Sequence, residues 1–310
     1  MPTDLHLLPK FRDRLGYLYA EHVVVERDSN SIALWDEEGK TQVPICDVAL
    51  LMLGPGSKIT HSAVDILARN STMLAWVGEG GVRMYAYGTG GTHSAARLVR
   101  QAELVSDPAG RLRMSRKLYK FRFPEALSED VTIQQLRGME GIRVRQAYEK
   151  AAVAAGIDWQ GRSYDRNKWQ GSDPANLALS AANACLYGVC HAAILAMGFS
   201  PALGFIHTGK QLSFVYDLAD LYKLEIALPV AFEEARLEPT DLGRAVRLAL
   251  RDKFYETRFL ERVARDLGTL FENEVPDDEL EIFDEDPARP GEYWDGSEGG
   301  VSYAPTEDES

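Results

Sequence analysis

A chain of 310 residues, 45% of them apolar, has room for two modest domains or one large one and can bury a real core. Its three cysteines, Cys46, Cys185 and Cys190, build no disulfide framework and fit a reducing compartment, where they act as small buried hydrophobes; an isolated Cys185-x4-Cys190 spacing is no zinc site. The net charge of −13 does not exclude a nucleic-acid partner: residues 271–310 hold fifteen acidic residues and one basic, leaving the rest at +1, and residues 97–166 carry fourteen Lys/Arg against nine Asp/Glu.

The opening MPTDLHLLPKFRDR lacks the basic lead, apolar run and small-residue cleavage site of a signal peptide. No stretch reaches the roughly 20 unbroken apolar residues of a membrane span. The richest, 178–198, includes Asn183, Tyr187 and His191 and reads as a buried helix of a soluble domain. A cytoplasmic protein with no membrane partner is expected.

The first ninety residues are β-rich. Strands are predicted over 16–27, 31–36, 41–46 and 48–53, with turn formers at Asp28-Ser29-Asn30 and Glu38-Gly39. Thr60 can cap a helix over 61–69, and two more strands, 72–77 and 82–87, flank Gly78-Glu79-Gly80-Gly81. Short strands at this spacing argue a small sandwich and not a parallel sheet with long crossovers. Gly88-Thr89-Gly90-Gly91 marks a flexible joint, after which helices are predicted over 94–104, 111–121, 131–155, 174–197, 217–235, 241–252 and 252–270. Gly138 and Gly141 interrupt one of them around Glu140. They imply either a close approach to the backbone or simple helix packing. From 272 onward the chain is acidic and rich in Pro, Gly and Ser, a composition that cannot offset the entropy of ordering. Its charge suggests a DNA mimic that competes for the basic surface.

The sequence has no Walker A loop, no Rossmann glycine pattern, no HExxH and no GxSxG, which removes the common ATPase, dehydrogenase, zincin and serine-hydrolase classes. The informative segment is 204–223. His207 precedes a turn at Thr208-Gly209, and Asp217 and Asp220 stand i,i+3, able to share one helical face. Two carboxylates beside an apolar surface repel unless a cation or basic groups intervene. A carboxylate-rich site with one imidazole suits Mn²⁺ or Mg²⁺, the cations that phosphodiester chemistry uses. The same residues have a structural reading. Either aspartate can cap a helix, His207 can be a core histidine, and Lys223 can pair with Asp220.

Four stretches carry a family resemblance: GPGSKITHSAV at 54–64, WVGEGGVRMYA at 76–86, QQLRGMEGIRVR at 134–145 and GFIHTGKQLSFVYDLAD at 204–220. The chain resembles the CRISPR-associated integrase, the larger spacer-acquisition protein, in its type I-E form, over most of residues 10–265. That resemblance implies an α+β fold: an N-terminal β-sandwich domain (1–90), a flexible linker, an all-α catalytic domain (91–271) and, outside the family core, the acidic tail (272–310). It implies a metal-dependent DNA endonuclease and integrase that inserts short DNA fragments into a CRISPR repeat by 3′-hydroxyl attack on a phosphodiester. Mg²⁺ or Mn²⁺ is held by Glu140, His207 and Asp220 in that pattern, with Asp217 as an additional acidic residue and Tyr187 in support. Arg83, Lys210 and Lys223 match basic residues, and Arg143 and Arg145 follow Glu140 toward phosphate. Arg97, Arg100, Arg111, Arg113, Arg116, Lys117, Lys120 and Arg122 become candidates for tracking a DNA backbone. The implied partners are double-stranded DNA fragments, repeat DNA, a second copy of the chain and a small acquisition subunit. Met139 stands where isoleucine is common and Gln211 where proline is common; neither alters a ligand. The rival readings are a repair nuclease acting on branched DNA and a non-catalytic DNA-binding scaffold.

Overall fold

The structure, a computed structural model, describes residues 17–45, 48–70, 72–78, 84–88, 95–123, 131–161, 173–272 and 274. Among the described residues, eight strands form two four-stranded sheets. The first sheet orders β1 (Leu18–Ala20), β5 (Leu50–Leu53), β7 (Met73–Val77) and β8 (Met84–Gly88). The second orders β4 (Gly39–Pro44), β3 (Ser31–Asp36), β2 (Val24–Asp28) and β6 (Lys58–Ile59).

The strand predicted over 16–27 is two strands, because His22 between them has a left-handed backbone (φ 55°) that no continuous strand admits. Its halves join different sheets. A second departure is the amount of parallel pairing: β1 with β5, β5 with β7, and β2 with β6. The predicted helix α1 (His61–Arg69), capped by Thr60, crosses over between β5 and β7 and makes their parallel pairing possible.

The run Leu50-Leu51-Met52-Leu53 is buried on both faces. Alternation along it sends Leu51 and Leu53 toward Val25, Ile32, Leu34 and α1, while Leu50 and Met52 face the helices. The central helix α5 (Pro174–Ala196), capped by Asp173, lies against that second face, with Leu50 beside Gly188. By length and composition α5 could cross a membrane, yet most of it is buried inside the fold. Cys185 and Cys190 are buried in it as free thiols; Cys46 lies outside the described residues.

Onto α5 pack α7 (Leu228–Leu237), α8 (Leu242–Glu256) and α9 (Phe259–Leu270), and α2 (Ala96–Ser106), α3 (Pro108–Arg122) and α4 (Ile133–Ala155) add to the same core. Asp107 caps α3 with Pro108 at its first position, and Thr132 and Gln135 form a capping box on α4. The single helix predicted over 217–235 is instead α6 (Ser213–Ala219), a π-helical turn (Lys223–Ala227) and α7. Pro229 sits in the first turn of α7, where its missing N–H breaks no bond within that helix. Within the acidic segment, Glu274 is buried against Arg100, Arg113 and Lys117. Residues 275–310, the joint at 89–91 and Arg83 lie outside the described residues.

Candidate active site

The loop 204–207 folds back on the start of α6. Gly204 is required there: a Cβ would meet the His207 carbonyl at 2.4 Å and the Ser213 backbone at 2.8 Å. Asp217, one turn into α6 and 0% exposed, secures the loop. Its carboxylate accepts the amides of Phe205 (2.6 Å), Ile206 (3.0 Å) and His207 (2.9 Å), and the ring Nδ1–H of His207 (2.7 Å). Asp217 thus points into the protein, away from the cleft. Its task is to fix the loop and the ring of His207.

Nδ1 being engaged, the other ring nitrogen of His207 is turned toward Asp220, 3.9 Å away. Asp220 follows the end of α6, and its other oxygen takes Lys223 Nζ at 2.5 Å. The two aspartates do face a common partner, but from opposite edges of one imidazole. The pairing of Lys223 with Asp220 given by the structural reading of the sequence is also present. Burial would lower the Lys223 ammonium, but Asp220 and Tyr187 outweigh it and hold it well above its usual value. Tyr187 lies beneath that ammonium, 5.4 Å from ring centroid to Nζ, and packs on Tyr216, which packs in turn on His207. The His207 ring is raised above its usual pKa by its bond to Asp217, against the opposing effect of burial.

Glu140 reaches the same place from α4. It is ion-paired with Arg122, the last residue of α3, whose side chain is 1% exposed. Arg122 also lies 3.8 Å from Asp220, donates to the Asp217 carbonyl (3.2 Å), and sits over the Tyr119 ring. The sequence placed Arg122 on a surface track for DNA; the structure places it inside the site. The charge count could not distinguish the two, since burial of Arg122 depends on α4 and α6 meeting the end of α3.

These groups line an open cleft of about 660 Å³ whose walls include Arg137, Glu140, Gly141, Arg143, Tyr148, His207, Asp220 and Lys223. Tyr119 also lines it; its hydroxyl is buried with no partner among the described residues, a donor that the sequence did not single out. Among the described residues, a Cβ at Gly138 or Gly141 meets no atom within 4 Å beyond its own helix backbone, so packing between the described helices does not explain these glycines. Arg143 stacks over Phe123, while Arg145 and Lys210 are exposed. Much of the remaining basic segment is engaged internally. Arg97 donates to the Met197 carbonyl, Arg111 to that of Phe205, and Arg100, Arg113 and Lys117 hold Glu274.

Two carboxylates and an imidazole nitrogen make a donor set suited to Mg²⁺ or Mn²⁺. As the side chains stand, no three His, Cys, Asp or Glu groups among the described residues are gathered closely enough to hold an ion, and Glu140 is paired with Arg122. The donors fit in chemistry; the grouping needs Glu140 to turn from Arg122.

The sequence matches the family model for CRISPR associated protein Cas1 over residues 17–123 and 120–237. The chain belongs to the Cas1 family. A protein from Thermus thermophilus named CRISPR-associated endonuclease Cas1 2 is 52% identical over 303 residues, covering 97% of this chain and 93% of that protein. CRISPR-associated endonuclease Cas1 from a Clostridium species is 43% identical over 298 residues, covering 96% and 97%. A crystal structure of a TtCas1–DNA complex superposes with a TM-score of 0.80 at 48% identity, over 94% of this chain and all of that one. Glu140, His207 and Asp220 fall in this Cas1-family chain within the matched residues.

Proposed function

We propose that this chain is a metal-dependent DNA endonuclease and strand-transferase of the type I-E form, joining short DNA fragments to a CRISPR repeat. One observation carries the reading: Glu140, Asp220 and the free nitrogen of His207 converge on one open cleft with basic walls. Family membership supports it, as do relatives named endonucleases and a similar protein solved with DNA.

Glu140, His207 and Asp220 would hold Mg²⁺ or Mn²⁺, which when bound supplies Lewis-acid polarisation of a phosphate and activation of a hydroxyl. Asp217 fixes the His207 ring so that the second nitrogen remains available at the cleft. Lys223, Arg137 and Arg143 offer positive charge to the phosphate that enters, and exposed Lys210 and Arg145 extend it along the backbone. Gly138 and Gly141 leave space beside Glu140 for a strand. A 3′-hydroxyl seated there attacks the phosphodiester at the repeat edge, one phosphodiester replaces another, and no nucleotide cofactor is required. Arg83 is assigned to the DNA surface by resemblance alone. A second copy of the chain, a small acquisition subunit and a cytoplasmic setting complete the proposal.

The test is a reconstituted reaction with the small subunit, a short duplex and repeat-bearing plasmid, run beside branched DNA. Glu140→Ala and Asp220→Ala should abolish joining and retain DNA binding. Joining that survives in both variants would make the chain a scaffold; cleavage of branched DNA without joining would make it a repair nuclease.

A further inference from the structure

Arg122 does something that the ligand set alone does not explain. A guanidinium 1% exposed is costly to desolvate unless anions surround it, and two carboxylates in one cleft are costly unless a cation separates them. Arg122 meets both needs at once, bound to Glu140 from α4 and lying 3.8 Å from Asp220 beyond α6. Its position at the C-terminal end of α3 is favourable for a cation, and the Asp217 carbonyl accepts a second nitrogen. Its Nε has no acceptor among the described residues, so the guanidinium is bound through one edge and is not locked on every side.

A divalent cation at Glu140, His207 and Asp220 would need the carboxylates that Arg122 now neutralises. It would also sit beside a fixed positive charge, which repels it strongly in a half-buried setting. We infer that Arg122 is a built-in counter-ion of the metal-free site, one that releases Glu140 when the metal binds and so sets how tightly the metal is held. The inference rests on the metal reading above. It adds that affinity is limited by a competing side chain and that the metal-free cleft is stabilised by it.

Mn²⁺ binding to the full-length chain without DNA tests this, followed by electron paramagnetic resonance in wild type, Arg122→Gln and His207→Ala. Arg122→Gln should bind Mn²⁺ about ten-fold tighter, since a repelling charge has been removed. Its metal-free form should melt lower than wild type, and Mn²⁺ should raise its melting temperature by more. Equal or weaker Mn²⁺ binding in Arg122→Gln would overturn the inference. If that variant does not fold, wild type decides: the Arg122 Nε–H resonance should shift on saturation with Mg²⁺, and an unmoved resonance overturns the inference. Absence in wild type of any Mn²⁺ site that His207→Ala removes would instead sink the metal reading itself.

Discussion

His207 donates its Nδ1–H to Asp217 at 2.7 Å, and the same carboxylate accepts the backbone amide of His207. One buried side chain thereby sets both the position of the loop and the tautomer of the ring it presents. Asp217→Ala would leave the amides of Phe205, Ile206 and His207 without their acceptor. The loss of stability should be on the order of 3 kcal/mol or more. Glu140→Ala, which strips the buried Arg122 guanidinium of its close partner, should cost a comparable amount, and Asp220→Ala, at a partly exposed position, should cost less. Equilibrium denaturation of the three variants checks the ranking. An Asp217→Ala protein as stable as wild type would show that the carboxylate is not a structural anchor.

The same bond fixes a pH dependence. His207 is raised above 6.5 chiefly by Asp217, so the folded protein favours the protonated ring. That stability is fully present below the unfolded value and is lost as pH rises through the folded one. Metal binding has the opposite sign, since the second nitrogen must be free of its proton: Mn²⁺ affinity should fall as pH drops through the same value. Ring NMR of the metal-free protein should find His207 titrating above about 6.5 and Asp217→Asn returning it toward that value. Titration of the wild-type ring below it would contradict the geometry.

Gly138 and Gly141 give a prediction in which stability and function part. No atom of the described residues outside the helix backbone stands within 4 Å of a Cβ at either position, so Gly→Ala should raise stability by about 0.5–1 kcal/mol, the ordinary helix preference. If the space is used by DNA, DNA binding or strand transfer should weaken in the same variants. Stabilised proteins with unchanged binding and activity would show that the glycines serve no substrate.

Strand and helix boundaries were largely legible: 31–36 and 61–69 match β3 and α1 residue for residue. Periodicity marks elements that bury one face, and turn chemistry marks their ends. It misses what backbone geometry decides, as at His22, which divides one expected strand between two sheets. For the site, local spacing brought out His207, Asp217 and Asp220, while Glu140 came only through the resemblance, being 67 residues earlier than His207. Spacing could not rank the aspartates. That Asp217 faces inward and Asp220 the cleft depends on where α6 ends, and the expected single helix over 217–235 concealed that end. Arg122 was misread because a basic run shows charge and not depth.

The acidic tail gives a further prediction. Burial would raise the Glu274 carboxyl, but hydrogen bonds from Arg113 and Lys117 outweigh it and leave it below the usual value. Its stabilising effect is therefore present above the unfolded value and lost as pH falls through the folded one. A chain ending at residue 271 frees Arg100, Arg113 and Lys117. It should bind duplex DNA more tightly at low salt, with a steeper salt dependence of about 0.9 for each added phosphate contact. Unchanged affinity and slope would refute competition between tail and DNA.

The proposed function requires Glu140, His207 and Asp220 to work as one metal-dependent centre on DNA. Its most direct test is Mn²⁺-dependent joining of a short duplex to repeat DNA by wild type and His207→Ala, with DNA binding measured on the same preparations. Joining that requires Mn²⁺ or Mg²⁺ in wild type and is lost in His207→Ala, while DNA affinity is retained, is the predicted result. Joining that persists in His207→Ala, or that proceeds in wild type under chelation, would contradict it.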